Sequence, residues 1–382
     1  MHRPLQQLLV ASILCLLTIS NNYAQQIVSS SIQFDGLERS YILYVPQAYT
    51  GDEAVPLVLN FHGYTSNSGE QLFYSDFRSV ADTGNFLVVH PQGTEDDQGN
   101  THWNVGWGGS TVDDVGFAAA LIDSLAFDFN INPDRIYSTG MSNGGFMSYQ
   151  LACELSDRIA AIASVTGTMN LGQPATCDPS HPVPVMEIHG TADDVVPYEG
   201  AGIFLGSEAV IDFWVEFNNC GAMPTITDLP DVNTTDGSTV EWFQYGDCDN
   251  NVAVELYKVD NGGHTWPGSP IAFVGTNYDM NATEEIWRFF SRYDINGEIM
   301  VTSTKEELVK ASVQLHPNPA ADWLRVTLPD QTPSPYLLRN ALGQVVMSGQ
   351  ADNPTFDLQI NHLPAGLYFL TIDQGIYQFV KS

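Results

Sequence analysis

Between Ile136 and Phe146 the chain reads Ile136-Tyr137-Ser138-Thr139-Gly140-Met141-Ser142-Asn143-Gly144-Gly145-Phe146, and few folds accommodate it. A β-branched and aromatic run is followed at once by a helical pattern, so a strand has to turn abruptly into a helix at Ser142. Gly140 and Gly144 remove side chains that would block so tight a turn. Such a turn lifts the serine hydroxyl clear of the backbone and points the first helical amides at whatever it attacks. Taken alone, Gly-x-Ser-x-Gly also describes an ordinary glycine-rich turn. Its weight comes from the flanking strand and helix and from two later motifs.

The surrounding pattern predicts where that turn lies. Pro56 to Phe61 and Phe86 to His90 are apolar on both faces, as central parallel strands covered by helices are. Ser40 to Pro46 alternates like an early antiparallel strand. Ala160 to Val165, Val185 to Ile188 and Val252 to Val259 add further strands. Asp113 or Asp114 can cap a helix with Phe117, Leu121 and Leu125 on one face. Asn281 and Glu284 form a capping-box pattern ahead of a final helix through Ile286, Trp287, Phe289 and Phe290. Strands alternating with helices predict an α/β domain over residues 25–293, with a doubly wound, mostly parallel sheet. Ligands of such sheets bind at the carboxyl ends of the strands. Residues 294–311 are polar and read as a linker. From 312 to 382, short strands with Gly, Pro and Asn turns predict a small all-β sandwich.

Residues 1–24 carry His2 and Arg3, an apolar run from Leu8 to Leu17 and a cleavage context at Ala24, the pattern of an export signal. No stretch is long enough for a comfortable membrane span. With Cys15 removed, Cys153, Cys177, Cys220 and Cys248 remain, an even number in an exported chain. Sequence neighbours suggest Cys153–Cys177 and Cys220–Cys248, although spacing leaves all three pairings open. No two cysteines have close ligand spacing, so no metal site is expected. The 13 basic and 45 acidic residues give a net charge of −32, which argues against nucleic-acid or anionic-membrane partners.

Ser142, Asp193 and His264 occur in that order, each just after a predicted strand. A serine alcohol needs a base, and the base needs an acid to fix its tautomer. In this reading Ser142 attacks an acyl carbon, His264 carries the proton and Asp193 holds the imidazole. Asp194 competes with Asp193, and motif position favours Asp193. The backbone amides of Asn143 and Tyr64 are the expected donors to the oxyanion. His62, His90 and His189 read as turn or packing residues, and Asp113-Asp114 as a helix cap. Tyr64, Trp103, Trp107 and Trp266 lie on predicted loops and are candidates for a substrate platform.

Thr139 to Gly145, Leu151-Ala152-Cys153-Glu154, His189-Gly190-Thr191-Ala192-Asp193, Val196-Pro197-Tyr198 and Gly262-Gly263-His264-Thr265-Trp266-Pro267-Gly268 together resemble the polyhydroxybutyrate depolymerase/feruloyl esterase family. Pro91-Gln92-Gly93 and Asp113 to Phe117 match it too. The resemblance covers roughly residues 27–293. It implies an α/β-hydrolase that needs no cofactor, with Ser142, Asp193 and His264 as its triad. His316-Pro317-Asn318-Pro319-Ala320, Asn340 to Gln344 and Leu363 to Tyr368 resemble the C-terminal sorting domain of type IX secretion, which implies passage through the outer membrane. Trp323 is the only tryptophan of the tail, which weakens the rival reading as a carbohydrate-binding module.

The expected activity is hydrolysis of feruloyl or acetyl esters of plant polysaccharide. No apolar binding patch stands out in this acidic sequence, and that argues against a solid polyester. A polyhydroxybutyrate depolymerase is the alternative, and a catalytically inert polysaccharide-binding protein is a second. A peptidase on the same scaffold ranks low, because the sequence shows no separate propeller-like domain to select peptides.

Overall fold

The computed structural model describes residues 25–299, 313–316, 318–328, 334–340, 344–351, 353–372 and 375–381. The expected export signal and most of the expected linker lie outside these residues. The chain divides into two compact units, separated between Ile299 and Met300.

The first unit is built on a ten-stranded sheet. Its strands are β1 (Gln26–Phe34), β2 (Leu37–Val45), β3 (Val55–Phe61), β4 (Leu87–Pro91), β5 (Ile131–Met141), β6 (Ala161–Val165), β7 (Val185–Gly190), β8 (Thr225–Asp228), β9 (Thr239–Tyr245) and β10 (Val254–Asp260). They lie in the order β1-β2-β4-β3-β5-β6-β7-β10-β9-β8. The six strands from β4 to β10 in that order are parallel, and two antiparallel strands flank them at each edge. The expected doubly wound sheet is therefore present.

The two-sided burial of the central strands follows from their alternation. Leu57, Leu59 and Phe61 enter one core with Phe117, Leu121, Leu125 and Leu151. Val58 points the other way, into a core with Ala81, Ile286, Phe289 and Phe290. These residues belong to helices on opposite faces: α2 (Arg78–Gly84), α3 (Asp114–Asp128), α4 (Asn143–Glu154) and α6 (Ala282–Phe290). Helix α1 (Ser68–Tyr74) borders the site described below, and α5 (Ser207–Phe217) buries Val210, Ile211 and Trp214. Asp113 caps α3 through Gly116 N–H at 2.7 Å. Asp114 instead pairs with the buried Arg39 at 2.6 Å. Asn281 caps α6, as its capping-box pattern requires.

Two features depart from expectation. Gln26–Phe34 forms a strand although its side chains are mostly exposed, because it pairs along its whole length with β2. The α/β unit also runs past residue 293. Tyr293–Asp294 and Gly297–Glu298 form a hairpin, and Ile295 N–H donates to Asp134 O at 2.8 Å. The linker therefore begins no earlier than residue 300. Both disulfides join sequence neighbours, Cys153–Cys177 and Cys220–Cys248.

The second unit contains a three-stranded sheet (Gln314–His316, Trp323–Thr327, Thr355–Gln359) and a four-stranded one (Ser334–Asn340, Val345–Ala351, Gly366–Ile372, Gly375–Lys381). Leu324, Val326 and Leu358 of the first share a core with Leu338, Leu370 and Phe379 of the second. That is the small sandwich expected.

His90 on β4 is fully buried, and neither ring nitrogen finds a partner. Burial pushes its pKa down from 6.5 to about 3. As pH falls through 6.5, the unfolded chain takes up a proton that the folded chain refuses, so stability drops. His90→Leu is expected to remove about 2 kcal/mol of the stability lost between about pH 7.5 and 5. Urea unfolding at both pH values checks this. An unchanged loss would mean that the buried ring is not the acid-sensitive group.

Candidate active site

Ser142 connects β5 to α4 with φ 54° and ψ −122°, a conformation costing on the order of 1–3 kcal/mol for a non-glycine residue. Its surroundings hold it there. Ser142 N–H donates to Val165 O at 2.8 Å, and its carbonyl accepts from Gly145 N–H at 2.7 Å and Phe146 N–H at 3.0 Å. A Cβ at Gly140 would lie 2.6 Å from Phe61 O, and one at Gly144 would collide with the same carbonyl. Both positions require glycine because β3 passes directly behind the turn.

The expected base and acid meet. His264 Nδ1–H donates to Asp193 Oδ2 at 2.7 Å, and Asp193 Oδ1 accepts from the amides of Val195 (2.8 Å) and Val196 (2.9 Å). The Asp193 side chain is fully buried, whereas Asp194 is exposed. Burial alone would raise the Asp193 pKa, but hydrogen bonds from His189, His264 and Val196 N–H outweigh it and hold the carboxyl well below its usual range. With Nδ1–H committed to Asp193, Nε2 of His264 is left as a proton acceptor. The loops that carry the two residues are tied together. Ala192 N–H donates to Gly262 O at 2.9 Å, and a Cβ at Gly190 would collide with that oxygen.

Ser142 and His264 line one cavity of about 680 Å³. Gly63 abuts the serine: a Cβ there would sit 3.4 Å from Ser142 Cβ. This brings the Gly63–Tyr64 backbone close to Ser142, and α4 begins at the next residue, Asn143. The Asn143 side chain is occupied elsewhere. Its Oδ1 accepts Trp103 N–H at 2.6 Å and its Nδ2–H donates to Trp103 O at 3.1 Å. The Tyr64 side chain turns outward, where its hydroxyl donates to Asp96 at 2.7 Å and accepts from Asn100 at 2.8 Å.

The other histidines divide. His62 is buried, donates Nδ1–H to Gly63 O at 2.7 Å and accepts Gly93 N–H on Nε2 at 2.9 Å. Burial pushes its pKa down to about 4, so it is a neutral brace for the turn. His189 does more than pack: its Nε2 lies 3.4 Å from Asp193 Oδ2.

The aromatic platform is not the expected one. Trp103 and Trp266 are buried, at 0% and 1% exposure. Trp103 Nε1–H donates to His62 O at 2.9 Å, and Trp266 Nε1–H donates to Thr283 Oγ1 at 3.0 Å. Both rings brace loops from within and cannot stack on a ligand. Trp107 is half-buried against Phe146 and Phe204 and borders neighbouring clefts, not the Ser142 cavity. Tyr64 does line that cavity, together with Phe73, Tyr74, Ile271 and Phe273, which the sequence pattern did not single out. Phe73, Ile271, Phe273 and the neighbouring Val274 are exposed, so this acidic protein does present an apolar rim. Tyr74 packs edge-on to Phe273 at 5.5 Å, and its hydroxyl accepts Trp266 N–H at 3.0 Å. Among the described residues, no group of three or more His, Cys, Asp or Glu side chains could hold a metal, and no helix is long and apolar enough to cross a membrane.

Comparison with known proteins gives these features a family context. Residues 39–201 match the esterase PHB depolymerase family, and residues 314–382 match the secretion system C-terminal sorting domain. Feruloyl esterase B of Piromyces equi is 30% identical over 238 residues, covering 59% of this chain and 42% of its own length. A bifunctional acetylxylan esterase/xylanase of Neocallimastix patriciarum is 25% identical over 264 residues, covering 69% and 35% respectively. A probable feruloyl esterase C of Aspergillus clavatus is 28% identical over 258 residues, covering 66% and 83%. The chain thus spans less than half the length of the first two relatives. The first unit has the α/β-hydrolase architecture. The match of residues 314–382 to a secretion sorting domain supports delivery of the protein to the cell surface or the extracellular space.

Proposed function

We propose that the protein is a serine carboxylic-ester hydrolase acting through an acyl-enzyme, on feruloyl or acetyl esters of plant polysaccharide. One observation carries the reading: His264 is hydrogen-bonded to the buried Asp193 on the wall of the cavity that Ser142 also lines. His264 Nε2 takes the Ser142 proton as Oγ attacks the acyl carbon, and the oxyanion is received by the amides of Tyr64 and Asn143. The proton passes to the departing alcohol. Water, activated by the same imidazole, then releases the acid. The sorting domain engages the secretion machinery before any of this chemistry takes place outside the cell.

Tyr74, Phe73, Phe273, Ile271 and Met141 offer the acyl group an aromatic and apolar wall, faced by Asn67 and Glu70. An acetyl group would leave most of about 680 Å³ unfilled, so cavity size favours a hydroxycinnamoyl group among plant esters. The Aspergillus and Piromyces relatives bear feruloyl esterase names, which supports the same choice. The exposed rim of Phe73, Ile271, Phe273 and Val274 favours a second reading, hydrolysis of hydroxybutyrate oligomers or polyester. Initial rates on methyl ferulate, acetylated xylan and hydroxybutyrate oligomers at matched concentration separate the two. Methyl ferulate is expected to be the best of the three. A preference for the oligomers of more than about tenfold over both others replaces the first reading with the second, since a ratio of that size is what selection of the acyl group by the pocket produces. No turnover of any ester would leave an inert binding protein.

A further inference from the structure

We infer that Glu187 and His189 form a buried positioning pair behind Asp193, which fixes the Asp193–His264 couple and sets the acid limb of its activity. The inference rests on the reading of Ser142, His264 and Asp193 as a triad. Glu187 and His189 stand two residues apart on β7, so they share a face of the strand, and both are fully buried. His189 Nδ1 lies 2.7 Å from Glu187 Oε1. Its Nε2 lies 2.8 Å from Val196 O and 3.4 Å from Asp193 Oδ2. Both ring nitrogens thus face acceptors. Two N–H groups satisfy all of them, which makes the ring an imidazolium with Glu187 as its counter-ion.

The pair is tied into the site from both sides. Tyr149, on the helix that begins after Ser142, donates its hydroxyl to Glu187 Oε2 at 2.7 Å. Val196 gives its amide to Asp193 Oδ1 and its carbonyl to His189. A continuous set of contacts therefore runs from the nucleophile's helix through Tyr149, Glu187, His189 and Asp193 to His264. Buried ion pairs are costly and seldom stabilise a fold better than apolar residues of the same size. One in contact with the candidate acid is a reason to look for a role in catalysis.

The other groups around the ring leave its charge intact. The Tyr198 ring stands edge-on at 6.0 Å. Lys258, beside His189 on β10, sends its ammonium toward Glu208 and Glu241 and over the Tyr198 ring. Ser164 on β6 donates to Gly167 O and also contacts Glu187. Burial opposes the charge on His189, but the hydrogen bonds to Asp193 and Glu187 prevail and raise its pKa to about 9. Burial pushes Glu187 upward against the bonds from His189 and Tyr149, so the pair keeps one proton between its members through neutral pH.

The consequence is electrostatic. His189 places a positive charge on the carboxylate oxygen that also receives His264 Nδ1–H. A cation there opposes a second positive charge on the neighbouring imidazole. Removing the cation should move the acid limb upward. His189→Gln is expected to shift the acid limb of kcat/KM up by about half a pH unit or more. It should also lower kcat by about tenfold or more, with KM changed less than about twofold. Glu187→Gln should shift the limb in the same direction, because His189 without its counter-ion gives up its second proton and the cation is lost. Adding His189→Gln to it should shift the limb by less than His189→Gln does alone.

In a folded His189→Gln variant, a limb unchanged within about 0.2 of a pH unit overturns the inference. So does an unmodified protein whose His189 ring, read by nitrogen chemical shifts at about pH 7.5, carries one proton and not two. That second measurement decides the matter if the variants do not fold. Ser142→Ala separates the two readings. If it retains hydrolysis, the triad reading fails. If it is inactive while the limb in His189→Gln stays put, only the positioning role fails.

Discussion

Ser142→Ala is expected to lower kcat/KM on methyl ferulate by about 10⁴-fold or more, with the thermal midpoint changed by no more than about 3 °C. The loss follows from removing the hydroxyl that attacks the acyl carbon in the proposed mechanism. The retained fold follows from geometry: Ser142 already occupies φ 54° with a Cβ in place, and removing Oγ leaves its backbone hydrogen bonds to Val165, Gly145 and Phe146 untouched. Residual turnover comes from amides and cavity alone. A well-folded variant that turns over normally would remove Ser142 from the chemistry.

Asp193→Asn should cost about 10⁴-fold in kcat, and Asp194→Asn less than about twofold. The amides of Val195 and Val196 require an oxygen acceptor, so the new carboxamide keeps its oxygen there and turns its NH₂ toward His264 and His189. His264 Nδ1 must then accept instead of donate. Its proton moves to Nε2, the atom that has to receive the Ser142 proton. Asp194 is exposed and is not hydrogen-bonded to the imidazole, so its change leaves the tautomer alone. The reverse ranking of the two variants would make Asp194 the acid.

Much of this site is legible in the sequence because short-range chemistry writes it there. The strand–turn–helix at Ser142 needs Gly140 and Gly144 within four residues of each other. Asp193 and His264 each follow an apolar strand, and parallel strands bring their carboxyl ends to one edge. The rest depends on contacts that no local pattern encodes. Trp103 and Trp266 sit on loops, as surface aromatics do, yet those loops fold back over the core and bury the rings. Phe73 and Tyr74 end a short helix, and Ile271 and Phe273 lie almost 200 residues later in a loop between Pro267 and Met280; only the tertiary fold makes them one wall. His189 reads as a strand-end histidine because its partners are distant in pattern: Val196 reaches it from a following loop, and Glu187 beside it is held by Tyr149 from α4. β1 is missed for a different reason: its partner strand, and not an apolar face of its own, creates it.

Tyr74 serves two masters in this arrangement. Its ring is part of the cavity wall against Phe273, while its hydroxyl holds the backbone amide of Trp266 and its carbonyl accepts Ser269 Oγ–H at 2.7 Å, both on the segment that follows His264. Substrate preference and the placement of the base are thereby linked through one side chain. Ile271 and Phe273 are exposed, and changing them should alter the shape of the wall alone. At Tyr74 any such experiment also disturbs the loop that carries the imidazole. The wall is thus divided into an exposed face that can be reshaped by itself and a post that also supports the neighbouring loop.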